Sequence, residues 1–188
     1  MKNLCIAALC MSFAVSTAYA QTPTEEKNSF GGPKLEVPKN IPSLQIQFEE
    51  EGWGDKRIAP KMQCARNGGD KPASPKMSID GAPEGTSSLI VYVLNEPPSW
   101  DNHGLFRVMP ASNRDAGTPW VIPSIGSNRE LDKLPKRVKP YAGGNSWGRV
   151  YSAPCPSGGS WRYTVAVFAV DDADKVLAYG KTIMGYAP

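Results

Sequence analysis

Glycine and proline punctuate this chain too densely for long helices: 18 of each stand among its 188 residues, well above ordinary usage. Proline lacks a backbone donor and clashes with a helical turn, and glycine in a regular element costs entropy, so the segments between them must be short. What lies between reads as strand. Residues 43–49 (SLQIQFE) alternate Leu44, Ile46 and Phe48 with polar neighbours, the period of a half-buried strand. Ser87–Leu94, Gly104–Met109 and Arg162–Val170 are rich in β-branched and aromatic residues. Val176–Met184 is placed to pair back on Tyr163–Val170 through a turn at Asp171–Asp174. No 18-residue stretch has amphipathic helical spacing, and no internal repeat occurs. The expected fold is all-β dominated, an antiparallel β-sandwich with few short helices and long loops.

The first twenty residues stand apart. Lys2, a short apolar run from Leu4 to Val15, and Ala18-Tyr19-Ala20 ahead of Gln21 have the order of a secretory signal peptide with its cleavage site. The run is shorter than the roughly 20 residues that span a bilayer, so cleavage after Ala20 and a periplasmic or secreted location are expected. Cys10 invites a lipoprotein alternative, but Leu9 sits where such signals carry a small residue. Residues 21–42 mix Pro, Gly, Lys and Glu without apolar periodicity and read as a flexible leader. Residues 43–188 then form a single domain, long enough to bury a core.

The formal net charge is +3 and falls by one with Lys2. That balance argues against nucleic acid as a partner, and no later stretch approaches membrane-spanning length. Cys5 and Cys10 leave with the signal, so Cys64 and Cys155 remain. In an exported chain such a pair is most simply one disulfide; two free thiols are the alternative. A bridge closing a loop of about 90 residues would restrict the unfolded chain by roughly 4 to 5 kcal/mol.

His103 is the sole histidine, which excludes a histidine-rich metal site and makes a zinc site poor. A Ser-His-Asp arrangement has the residues, with Asp101 two positions away, but no G-x-S-x-G elbow accompanies them. There is no P-loop and no G-x-G-x-x-G after a strand. Taken alone, His103 reads as a histidine at the mouth of a strand, hydrogen-bonded for structural reasons.

Four segments together change that. Ser74-Pro75-Lys76-Met77-Ser78 followed by Gly81-Ala82-Pro83-Glu84-Gly85-Thr86-Ser87-Ser88-Leu89 is similar to S-P-x-L-S-W-x-G-x-P-E-G-T-x-S-L. His103 to Pro110 is similar to H-W-x-x-x-N-I-P. Gly144-Asn145-Ser146-Trp147-Gly148 with Tyr151 to Pro156 is similar to G-x-N-D-F-G and Y-G-G-P-C-P, and Trp161-Arg162-Tyr163 stands at the place of H-R-Y. Val176-Leu177-Ala178 matches a closing V-L-A. From about Ile58 to Tyr186 the chain resembles the phosphatidylethanolamine-binding protein family, in particular its bacterial Raf-kinase-inhibitor-like branch, and the positions of Cys64 and Cys155 resemble those of exported relatives.

The resemblance implies a β-sandwich of that type with an end pocket for a small anion or phospholipid headgroup, no cofactor, no metal and no agreed catalytic reaction. Carried over residue by residue, the pocket would hold His103, Tyr163, Pro154 and Pro156, with Trp161 where the family has a second histidine. The family's D-P-D-x-P loop falls on Asn95-Glu96-Pro97-Pro98-Ser99, so Asn95 replaces its first aspartate and Pro97 its second, while Glu96 offers an acid shifted by one residue. A pocket so altered should be more apolar and less suited to phosphate. The family's helix before V-L-A is also missing, since only Asp171–Lys175 intervenes, which could free an edge strand. The expected function is an exported, non-enzymatic binding protein with a modified pocket. The alternative is a secreted or periplasmic modulator or inhibitor of another protein with a vestigial pocket. It draws on residues 111–140, read as an insertion bearing Trp120 and the basic Lys133, Lys136, Arg137 and Lys139, or more blandly as a solvated loop.

Overall fold

Two runs carry apolar residues at nearly every position rather than every second one, and both faces of each are buried. They are β3 (Ser88–Glu96) and β7 (Trp161–Val170), the neighbouring central strands of a five-stranded sheet in the order β6-β4-β3-β7-β8. The others are β4 (Asn102–Val108), β6 (Val138–Pro140) and β8 (Val176–Ala187). A second sheet, in the order β1-β2-β5, holds β1 (Gln45–Phe48), β2 (Met77–Asp80) and β5 (Trp120–Ile122). All pairings within the two sheets are antiparallel, and the only helical segments among the described residues are 3-10 turns at Pro60–Met62 and Ala65–Asn67. The computed structural model describes residues 35–96, 102–112, 115, 117–127, 134–145 and 148–188; the expected signal segment 1–20 lies outside them. Among these residues no helix is long and apolar enough to cross a membrane.

Strand alternation sorts the core into two layers. Leu89, Val91, Val93, Phe106, Val165 and Val167 face the small sheet and its Met77, Ile79 and Trp120. Ile90, Tyr92, Leu94, Leu105 and Phe168 form the opposite row. That outer row takes cover from Leu35, itself buried, and from the partly buried Val37 and Ile41. The leader expected through residue 42 is therefore packed from residue 35 onward. Its mixed composition hides this, because the demand comes from the sheet it covers.

Residues 111–140 also depart from a solvated insertion. They supply β5 and β6, and Trp120 is 1% exposed. Arg137 donates to the carbonyls of Met109 and Val121 at 3.3 and 3.2 Å. Lys136 and Lys139 face solvent, and Lys133 lies outside the described residues. Three-residue strands are too short to show a period.

The P-E-G-T segment is a turn that delivers the chain into β3: Thr86 donates its hydroxyl to Pro83 O at 2.7 Å, with Gly85 at φ 83°. At the same end of the sheet, β7 and β8 are joined by the short turn at Asp171–Lys175, whose Asp171 carboxylate accepts the N–H groups of Ala173 and Lys175 at 2.9 and 3.0 Å. Arg107 on β4 binds the Asp174 carboxylate at 2.6 and 2.7 Å and lies over the Tyr141 ring, 5.0 Å from its centroid. The edge of β8 is covered in two places rather than freed. Leu44 N–H donates to Tyr179 O at 2.9 Å, and Ile58 N–H donates to Tyr186 O at 2.7 Å.

The crossing at Leu44 depends on Gly180, where a Cβ would lie 2.5 Å from Leu44 O and 2.9 Å from Leu44 Cβ. Gly180→Ala is expected to force the two segments apart and cost about 1–3 kcal/mol, read as a lower urea midpoint with an unchanged slope.

Candidate ligand-binding site

The nine-residue register of β3 with β7 runs from Ser88↔Val170 to Glu96↔Arg162, so Asn95 lies opposite Tyr163 at one end of the sheet. His103, at the start of β4, joins them from the other side of β3. Its ring meets Tyr163 edge to face, with centroids 5.1 Å apart and planes at 85°. A bulge between Val93 and Leu94 precedes this end, and Gly104 lies opposite Val93, where an added Cβ would come within 3.1 Å of Cγ2. Asn95, His103 and Tyr163 are 3%, 5% and 1% exposed. With Trp161, and with Cys155, Pro156 and Ser157 as a facing wall, they enclose a cleft of about 140 Å³.

His103 is fixed by its own strand and by the 145–152 segment. Ser152 N–H donates to His103 O at 2.7 Å, and Asn145 Nδ2 donates to the same oxygen at 3.1 Å and to Ser152 Oγ at 3.0 Å. Asn145 Oδ1 accepts Arg149 N–H at 2.9 Å. His103 Nδ1 lies 3.2 Å from Ser152 O. A carbonyl can only accept, so Nδ1 carries the proton and the ring is held in one tautomer. Asn145 and Ser152 thus position the histidine. Both lie in the quoted motifs, yet neither has a residue type that announces a role. Beneath the site, burial raises the Tyr151 phenol far above its ordinary range and keeps it neutral.

The facing wall is tied to residues 63–67. Cys64 and Cys155 form a disulfide, with Cα atoms 5.1 Å apart. Cys64 N–H donates to Pro154 O at 2.8 Å, Arg66 donates to the carbonyls of Cys155 and Pro156 at 3.1 and 3.2 Å, and Asn67 Nδ2 donates to Pro156 O at 3.2 Å. Arg66, Asn67 and Ser157 are site-building residues that the sequence did not single out; Arg66 follows Cys64 by two positions, which is the one available signal.

Two expected site residues are not in the cleft. Glu96 follows Asn95 on β3, and strand alternation puts it on the opposite face. There it pairs with Arg162 and, at 2.8 Å, with Lys181. Burial alone would raise its carboxyl; the Lys181 ammonium and the Arg162 guanidinium outweigh that and hold it below the usual carboxylate range. Pro154 is buried behind the wall, its carbonyl committed to Cys64 N–H, and the turn presents only Cys155, Pro156 and Ser157 to the cleft. Asn95, His103, Tyr163, Trp161 and Pro156 do come together. Pro97, Pro98 and Ser99 lie outside the described residues, and among the described ones no group of three or more His, Cys, Asp or Glu is placed to hold a metal.

Two outcomes follow. A carboxylate whose folded pKa is depressed stabilises the fold above its unfolded pKa, near 4.3, and that contribution is lost as pH falls through the folded value. Urea unfolding of Glu96→Gln should therefore show a shallower loss of stability below about pH 4.3 than the parent chain. Replacing Cys64 and Cys155 together by Ala should cost about 2–4 kcal/mol, read as a lower denaturant midpoint.

The sequence model of the phosphatidylethanolamine-binding protein family matches residues 53–186. Among solved structures, E. coli YbcL, described as a new member of the mammalian PEBP family, superposes with a TM-score of 0.56 at 19% identity, covering 77% of this chain and 98% of that one. At that identity the likeness is one of fold. Among curated proteins no sequence matches. The sandwich, the end cleft around His103 and a match over most of the sequence place the chain in the phosphatidylethanolamine-binding protein family.

Proposed function

We propose that this chain is an exported, non-enzymatic binding protein whose end cleft takes a small molecule, with the family's anion pocket rewritten toward lower charge. The observation that carries the proposal is the cleft itself: His103 and Tyr163 converge with Asn95 across paired strands, against a wall locked by a disulfide. Of the described side chains lining it, only His103 can become positively charged, and Trp161 and Asn95 occupy the places where the resemblance implies a histidine and an aspartate. Export is supported by the Lys2, Leu4–Val15, Ala18-Tyr19-Ala20 pattern and by a disulfide that suits an oxidising compartment.

The modulator alternative draws on residues 111–140, but the fold uses Trp120 and Arg137 for its own packing. Only Lys136 and Lys139 of the described basic run face solvent, a weak basis for a protein interface.

Two measurements test the binding role. Phosphate and phosphoethanolamine should bind more weakly than micromolar by calorimetry, and a micromolar constant for either would contradict the rewritten pocket. His103→Ala should lower Tm by no more than about 4 °C, the shift that about 1 kcal/mol produces in a domain of this size. A much larger loss would mark the ring as core packing and favour a vestigial pocket.

A further inference from the structure

The Cys64–Cys155 bridge does not sit in the core. Both of its cysteines are only partly buried, although cysteine is among the residues most often fully buried. Cys155 stands on the cleft wall beside Pro156 and Ser157, whereas none of residues 63–67 lines the cleft. The bond therefore runs from the wall to the segment behind it. Thiol–disulfide exchange is an attack on one sulfur, along the sulfur–sulfur axis and away from the leaving sulfur, through a mixed disulfide. A thiolate entering the cleft meets Cys155 from that side, and Cys64 is the sulfur displaced.

Two further features suit exchange. Arg66, two positions after Cys64, donates its guanidinium to the carbonyls of Cys155 and Pro156 at 3.1 and 3.2 Å, and a cation beside the bridge favours a departing thiolate. The wall also has ties that do not depend on sulfur. Cys64 N–H donates to Pro154 O at 2.8 Å, Asn67 Nδ2 donates to Pro156 O at 3.2 Å, and Ser127 Oγ accepts Ala153 N–H at 2.9 Å. Opening the bond thus frees a sulfur without releasing the turn. Cys64, its Cα 5.1 Å from that of Cys155, stays in place to close the bond again. The cleft volume of about 140 Å³ suits roughly five non-hydrogen atoms, at about 30 Å³ for each water-sized group, which is the size of a small thiol.

We infer that the Cys64–Cys155 bridge is a reversible thiol-exchange site that takes small thiols covalently at Cys155. The incoming thiolate bonds to Cys155 Sγ, the bond between the two cysteine sulfurs breaks, and its electron pair leaves on Cys64 as thiolate. The incoming sulfur is oxidised as that of Cys64 is reduced, so no other redox partner enters. Attack by the Cys64 thiolate on the mixed disulfide expels the thiol and restores the bridge. Exchange requires that the cleft admit a thiol, not that it hold a non-covalent ligand. Exported protein is incubated with 2-mercaptoethanol at one fixed pH without denaturant, free thiols are trapped with N-ethylmaleimide, and the peptides are mapped by mass. The mercaptoethanol adduct should sit on Cys155 and the maleimide on Cys64, in about fivefold excess or more over the reverse arrangement. His103 is the sole histidine and lines the cleft, so its imidazole proton signal should shift in step with the adduct while the near-UV circular dichroism stays native. In single variants, Cys155 of Cys64→Ser should react with maleimide about tenfold faster than Cys64 of Cys155→Ser. Adduct chiefly on Cys64, opening only at urea concentrations that unfold the chain, or a His103 signal unmoved by the adduct overturns the inference and leaves non-covalent binding in the cleft standing.

Discussion

Ser88 to Glu96 pair with Val170 to Arg162 without a break, and the faces of these two strands determine where every neighbouring side chain can go. One face meets the small sheet; the other takes Leu35 and the residues after it. Because side chains alternate, the same register that brings Asn95 beside Tyr163 sends Glu96 and Arg162 to the opposite side. A slip of one residue would exchange the two sets. The cleft would then gain an ion pair and lose its amide and phenol. Site chemistry and core packing therefore depend on one pairing, and the apolar run from Leu89 to Leu94, buried throughout, holds it in place.

The wall opposite the sheet has a different origin. Residues 153–157 make no strand of their own; they are held by Cys64, Arg66 and Asn67, from a segment about 90 positions earlier. Hydrogen bonds to the backbone fix the path of this turn, and the disulfide limits how far it can move away. A loop that would otherwise vary in position thus faces His103 and Trp161 at a fixed distance. Rigidity of this kind lowers the ordering cost of binding a small ligand.

Much of the sandwich is legible in the sequence because its long strands carry their own signal. The runs at 87–94 and 162–170 and the return of Val176 through the Asp171 turn correspond to elements of the structure within a few residues. The short strands at Trp120–Ile122 and Val138–Pro140 do not announce themselves, since three residues show no period and their stability comes from partners distant in sequence. In the cleft, His103, Tyr163 and Trp161 are legible through the motifs that carry them. The direction of Glu96 follows from its place beside Asn95 only once β3 is known to extend that far. The positioning roles of Asn145 and Ser152 and the wall contacts of Arg66 arise from tertiary contacts, which single residues do not encode.

The central claim is that the space between His103 and Trp161 is a working binding site. It is tested most directly by a high-resolution crystal structure of the protein purified from its own host. The account predicts continuous non-protein density beside the His103 ring and in contact with Trp161 and Pro156, with the Cys64–Cys155 bridge intact. A cleft closed by Trp161 packed directly onto His103, with no space between them, would contradict it.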